Sequence, residues 1–213
     1  MPLCRRCQAC LAWNVAPCER CAEPLAPALE ARPAGTRLCG RCLTAPLALD
    51  TVVAPLIYRD EIRRLVQRFK AGAHRPSAHQ LIALFLWALE ARETTVPDVL
   101  MGVPRHRQRA REQGFDQSEW LASELGRRLG LPVTRGQRRR NDPLQHTLTA
   151  SARRRQVKGM FDVAGPMPRH VVLVDDVMTT GATLSRLASA CREAGAERVD
   201  AWVMARTPPP WLC

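Results

Sequence analysis

The chain has 213 residues, enough to bury a full hydrophobic core, and its apolar content of 46% excludes a disordered or fibrous class. Its 32 Lys and Arg against 20 Asp and Glu leave a formal charge of +12, which points to an anionic partner. The opening MPLCRRCQACLAWNV has no apolar signal core, and the longest apolar run, LIALFLWAL at 81–89, is too short to cross a bilayer. The expectation is therefore a cytoplasmic protein without membrane insertion.

Seven of the nine cysteines fall within the first 42 residues, in closely spaced groups. Without a secretory leader such groups argue for metal thiolates over disulfides. Cys18-x₂-Cys21 and Cys39-x₂-Cys42 stand seventeen residues apart, the spacing of two knuckles of a zinc ribbon. Gly40 eases the second turn. Such a closed four-thiolate site leaves no position for substrate, so its Zn²⁺ is structural and contributes folding energy. Cys4, Cys7 and Cys10 lack a matching fourth thiol and stay outside this primary site. The composition breaks after the Pro/Ala-rich insert EPLAPALEARPAG, dividing the chain into a cysteine module at 1–46 and an α/β domain at 47–213.

Beyond the break, apolar runs predict strands at about 50–58, 97–103, 171–175 and 198–205. Periodic segments predict helices at about 60–70, 77–92, 116–129 and 182–194. In the second helix Leu81, Leu84, Phe85, Ala88 and Leu89 recur every three or four residues and make one core-facing stripe. In the last helix Leu184, Leu187, Ala188 and Cys191 do the same, with Gly195 where a left-handed C-terminal cap belongs. Cys191 thus reads as a packed small hydrophobe. Strands alternating with helices imply an open parallel sheet flanked by helices.

After the 97–103 strand, Arg105, Arg107, Arg109 and Arg111 occupy every second position, which puts four guanidiniums on one side of an extended segment. They fit an anion, or are simply solvated. Asp116 stands where its carboxylate caps the following helix. Residues 127–158 then hold nine arginines and Lys158 against Asp142 alone, a local excess of +9. That window reads either as a basic loop or as a phosphate or nucleic-acid surface.

Residues 171–184, VVLVDDVMTTGATL, carry the most specific signal. Val171, Val172, Leu173 and Val174 suit a central strand covered on both faces, with Asp175 and Asp176 emerging at its carboxyl end, the ligand-binding edge of open α/β sheets. Thr179, Thr180, Gly181, Ala182 and Thr183 then turn into a helix, so unpaired backbone N–H groups and hydroxyls converge where a phosphate fits. Asp175 and Asp176 would repel that phosphate and suit vicinal sugar hydroxyls or a hydrated Mg²⁺ instead. A competing reading has the aspartates cap a helix and the threonines merely turn the chain. The nucleotide-triphosphatase reading fails for want of G-x-x-x-x-G-K-[ST], and the dinucleotide reading for want of G-x-G-x-x-G.

This stretch resembles the phosphoribosyl-pyrophosphate (PRPP) motif of type I phosphoribosyltransferases. With the paired cysteines and the stretches LVQRFKAG (65–72), VPRHRQRAREQGFDQS (103–118) and QHTLTASARRRQVKGMFDV (145–163), the layout is similar to the ComF family of competence proteins. The resemblance implies a type I phosphoribosyltransferase-like fold with an N-terminal zinc ribbon, and transfer of a pentosyl group from Mg²⁺-PRPP to an acceptor. It implies that Asp175 and Asp176 contact the ribose and that Thr179, Thr180, Gly181, Ala182 and Thr183 hold the 5′-phosphate. Arg105 and Arg107 then bind pyrophosphate, and Arg109 joins Asp175 and Asp176 as a catalytic group. Asp116 and Gln156 replace residues that are commonly Asn in that family, which touches transfer more than binding. Single-stranded DNA and other competence proteins follow as partners. The other reading of the same chain is a non-catalytic module that binds PRPP or a nucleotide and grips single-stranded DNA. With five Trp, four Phe and one Tyr, the chain is poor in rings for base stacking.

Overall fold

The structure is a computed structural model and describes residues 3–26, 28, 32–33, 35–72, 74–92, 94–104, 116–138, 160–163, 165–209 and 212. Helices among the described residues include α1 (Arg5–Ala9), α2 (Gly40–Thr44), α3 (Asp60–Gly72), α4 (Arg75–Glu90), α5 (Gln117–Leu129) and α6 (Ala182–Glu193). The strands are β1 (Val52–Val53), β2 (Leu56–Ile57), β3 (Val99–Gly102), β4 (Val133–Arg138), β5 (Phe161–Val163), β6 (His170–Met178) and β7 (Arg198–Arg206). They form one sheet in the order β1-β7-β6-β3-β4-β5, with β2 also on β7. Among the pairings of these described strands, β4–β5 is antiparallel and the others are parallel. No helix among the described residues is long and apolar enough to cross a membrane.

Local chemistry sets the ends of these elements. Asp116 caps α5, accepting from the amides of Ser118 (3.0 Å) and Glu119 (3.2 Å), as its position in the sequence predicted. Pro76 in the first turn of α4 gives up an amide that has no helical partner there. Gly195 follows α6 at φ +107°, the left-handed conformation expected of it. The expected 50–58 strand is two short pieces, because Pro55 cannot donate to a ladder.

β6 is buried on both faces, and its alternation divides the core in two. Val172 and Val174 pack with Ile62, Val66 and Phe69 of α3, Leu81, Leu84 and Phe85 of α4, and Leu121 and Leu125 of α5. Each such fully buried aliphatic or aromatic side chain is worth about 1.5–3 kcal/mol. Val171 and Leu173 face the other way, toward Leu184, Leu187, Ala188 and Cys191 of α6 and toward Cys18, Cys21, Cys39 and Cys42. Cys191 is fully buried, and burial pushes its thiol up to about 11, as befits a packing residue. Ahead of the cysteines, Leu3, Leu11 and Trp13 pack against the first core, so the N-terminal segment passes from one face of the sheet to the other.

Candidate functional site

Register places the two aspartates. β3 ends at Gly102 opposite Val174, whereas β6 runs on along β7 as far as Met178, opposite Arg206. Asp175 and Asp176 therefore lie inside a strand that outruns its β3 neighbour. The expected end at 175 falls short, because pairing with β7 continues past the acidic pair. The chain leaves β3 through α5 toward β4 on one side and leaves β6 through α6 toward β7 on the other, so this edge is the topological switch point of the sheet.

Both carboxylates are held from the α3–α5 face. The Ser118 hydroxyl, in the first turn of α5, donates to Asp175 Oδ1 at 2.7 Å, and the Asp176 amide donates to the same oxygen at 2.9 Å. Burial, reinforced by the Asp176 charge, pushes Asp175 up to about 7, while these two donors pull it down. Asp176 is buried at 4% exposure, and its Oδ1 meets Lys70 Nζ of α3 at 3.1 Å. Gly102 makes the arrangement possible. A Cβ there would stand 2.6 Å from the Glu119 amide nitrogen and 2.7 Å from the Ser118 carbonyl carbon, so only glycine lets α5 begin against the end of β3.

Beyond β6, Thr179, Thr180, Ala182 and Thr183 are exposed and lead into α6. Gly181 is its N-cap, left-handed at φ +76°, and as a glycine it offers no capping side chain. The Thr180 hydroxyl accepts from the Ala182 amide at 3.3 Å, and neither aspartate caps a helix, which removes the capping alternative. The loop carbonyls are held from the α6 face. Arg41 of α2 donates to Thr180 O at 2.6 Å, and the buried Arg206, which ends β7, donates to Met178 O at 3.1 Å and to Thr179 O.

The four knuckle cysteines come together as predicted. All four sulfurs are buried and lie within 4.8 Å of one another. Zinc–sulfur bonds of about 2.3 Å require tetrahedral edges of about 3.8 Å, and Cys21 Sγ to Cys39 Sγ is 3.6 Å. A hydrogen bond from Cys21 holds the Cys18 thiol down to about 4, whereas burial pushes Cys42 up to about 12. Four thiolates can coexist in so small a space only around a cation, so the set fits a metal such as zinc. Gly40 opens α2 at the second knuckle without a positive φ. Cys4, Cys7 and Cys10 are exposed and apart from this cluster.

Arg105, Arg107, Arg109 and Arg111 lie outside the described residues, as does 139–159 of the basic window. Within the rest of that window, Arg127 and Arg128 bind Glu124 at 2.7 and 2.8 Å, and Arg135 approaches Glu119 at 3.9 Å. Sequence reasoning missed Ser118, Lys70, Arg41 and Arg206. Lys70 and Ser118 had a signal, as parts of LVQRFKAG and VPRHRQRAREQGFDQS, whereas Arg41 and Arg206 lie outside the quoted stretches.

A family model described as a phosphoribosyl transferase domain matches residues 78–211. The DNA utilization protein YhgH of Escherichia coli (strain K12) is 35% identical over 179 residues, 79% of this chain and 78% of that protein. Competence protein F of Haemophilus influenzae is 31% identical over 178 residues, again 79% and 78%. A solved purine phosphoribosyltransferase from Pyrococcus horikoshii is 19% identical, with a TM-score of 0.38 over 68% of this chain and 84% of that one, too loose a superposition to add weight.

Proposed function

The chain belongs to the phosphoribosyl transferase domain family, in the group that holds Competence protein F, and from that premise we propose a PRPP site at the carboxyl ends of β3 and β6. Asp175 and Asp176 accept hydrogen bonds from the vicinal ribose hydroxyls. Residues 179–183 and the start of α6 hold the 5′-phosphate, with Arg105 and Arg107 on the pyrophosphate. Mg²⁺ bound with PRPP supplies charge neutralisation on the pyrophosphate oxygens, and the acidic pair is suited to hold its water shell.

In transfer, the bond from C1′ to pyrophosphate oxygen breaks and a bond from an acceptor nitrogen to C1′ forms, the acceptor's proton leaving to water. Arg109 stabilises the charge gathering on the departing pyrophosphate, and the remaining residues fix the ribose so that attack is in line. The four-cysteine cluster holds Zn²⁺ as a structural element. The names of the relatives, DNA utilization and competence, together with the +12 charge, support a role in DNA uptake and single-stranded DNA and other competence proteins as partners.

The observation that carries this reading is the acidic pair projecting past β3 at the switch point, followed through the threonine loop by the left-handed Gly181 that opens α6. Calorimetry with PRPP and Mg²⁺ tests it. Wild type binds, and Asp175→Asn/Asp176→Asn weakens binding about 100-fold or more, the loss of two charge-assisted hydrogen bonds. Equal binding by the double variant, or no heat from wild type at millimolar PRPP, removes the site.

The second reading, a non-catalytic module that grips single strands, is favoured by the same charge and the same names. It expects PRPP binding without pyrophosphate release for any acceptor, and fluorescence-anisotropy binding of single-stranded DNA that weakens steeply with salt.

A further inference from the structure

We infer that the cysteine module positions the loop after β6, through Arg41 and Arg206, so that the integrity of the knuckles sets how well the chain holds a sugar phosphate. The inference rests on the reading of 179–183 as the phosphate loop and adds what prepares that loop.

Three consecutive carbonyls accept from these two arginines, the first of them, Met178 O, also accepting from the Thr207 amide at 3.0 Å at the end of the β6–β7 ladder. Arg206, 3% exposed, donates to Met178 O (3.1 Å) and to Thr179 O. The same guanidinium donates through Nε to Cys21 O at 3.2 Å and through Nη2 to Glu23 Oε2 at 3.4 Å, so one side chain joins the first knuckle to the end of β6. Arg41, set between Cys39 and Cys42 in the second knuckle, reaches Thr180 O at 2.6 Å. Its Nε and Nη2 are closed off from water.

A trans peptide points its C=O and N–H in opposite directions. Holding the carbonyls of Met178, Thr179 and Thr180 toward the knuckles therefore turns the amides of Thr179, Thr180 and Gly181 away from them. Successive amides turned to one side make an anion-binding concavity. Gly181 completes it at φ +76°, where an added Cβ would stand 2.8 Å from Leu47 Cδ1, a residue of the stretch joining the cysteine module to β1. Arg41 and Arg206 act through the loop and never touch a substrate, so they are positioning residues.

Arg41→Gln and Arg41→Lys test this in the full-length, metal-loaded protein. Expected for Arg41→Gln are unchanged zinc content and unchanged amide exchange in β3, exchange of the 179–184 segment about tenfold faster, and affinity for ribose 5-phosphate about tenfold weaker, the size of one charge-assisted hydrogen bond. Arg41→Lys keeps a donor for Thr180 O and restores a substantial part of both. Wild-type exchange and affinity in Arg41→Gln overturn the inference, as does loss of zinc from that variant, which would make Arg41 a support of the metal site alone. If wild type itself ignores ribose 5-phosphate, the phosphate reading falls, and the exchange measurement alone decides the positioning.

Discussion

The two faces of the sheet are built from different material and reach the site in different ways. One face is covered by three long helices bearing leucine, isoleucine and phenylalanine, and it sends Lys70 and Ser118 to the carboxylates. The other is covered by α6 and by short knuckles rich in cysteine and alanine, and it sends Arg41 and Arg206 to the loop carbonyls. The acidic half of the site thus leans on ordinary apolar packing. The loop half leans on a thin layer whose cohesion depends on what its sulfurs bind.

The largest expected effect breaks the thin face. Cys39→Ser removes one of four thiolates, forfeiting much of a metal-binding energy on the order of 10 kcal/mol, so stability falls by at least about 3 kcal/mol. Thermal melts with and without chelator read this: the chelator lowers the wild-type midpoint and leaves the variant's where it is. Next comes Gly102→Ala, whose new methyl group collides with the backbone at the start of α5. A loss of about 2–3 kcal/mol in urea titration is expected, because backbone and not a flexible side chain must move. Smallest is Lys70→Met, which leaves Asp176 without its ammonium partner. That pair has one buried and one partly exposed member, so about 1–2 kcal/mol is expected, between the exposed and buried cases. Amide exchange after this substitution should rise near Asp176 and stay at wild-type rates in 179–184, a separation of the two halves that a single cooperative site would not show.

The sequence made the helix packing on both faces plain, because α4 and α6 carry uninterrupted stripes and β6 opens on four apolar residues. It hid β4, where Val133–Arg138 (VTRGQR) has one apolar side chain and one buried residue and so no apolar alternation to read. It shortened β6, because two acids interrupt a hydrophobic pattern without interrupting the ladder to β7. The acidic pair and the threonine loop were legible since they are contiguous, and the cysteine set was legible from spacing. Ser118 lies 57 positions from its aspartate and Arg41 139 positions from its carbonyl, separations that only the topology closes. Linear charge counting likewise missed Glu124 and Glu119, which stand just outside the basic window yet pair with its arginines.

The passage of the N-terminal segment across the sheet has one more consequence. Trp13 bridges to Leu56, Asn14 donates its amide to Pro55 O at 2.8 Å, and Ala12 O accepts from Ile57 at 2.7 Å. With Pro55 itself lacking an amide hydrogen, the outer strand offers no unbroken row of donors and acceptors to a neighbouring copy. A chain that loses its first fifteen residues leaves Pro55 O and the Ile57 amide on this edge without these partners.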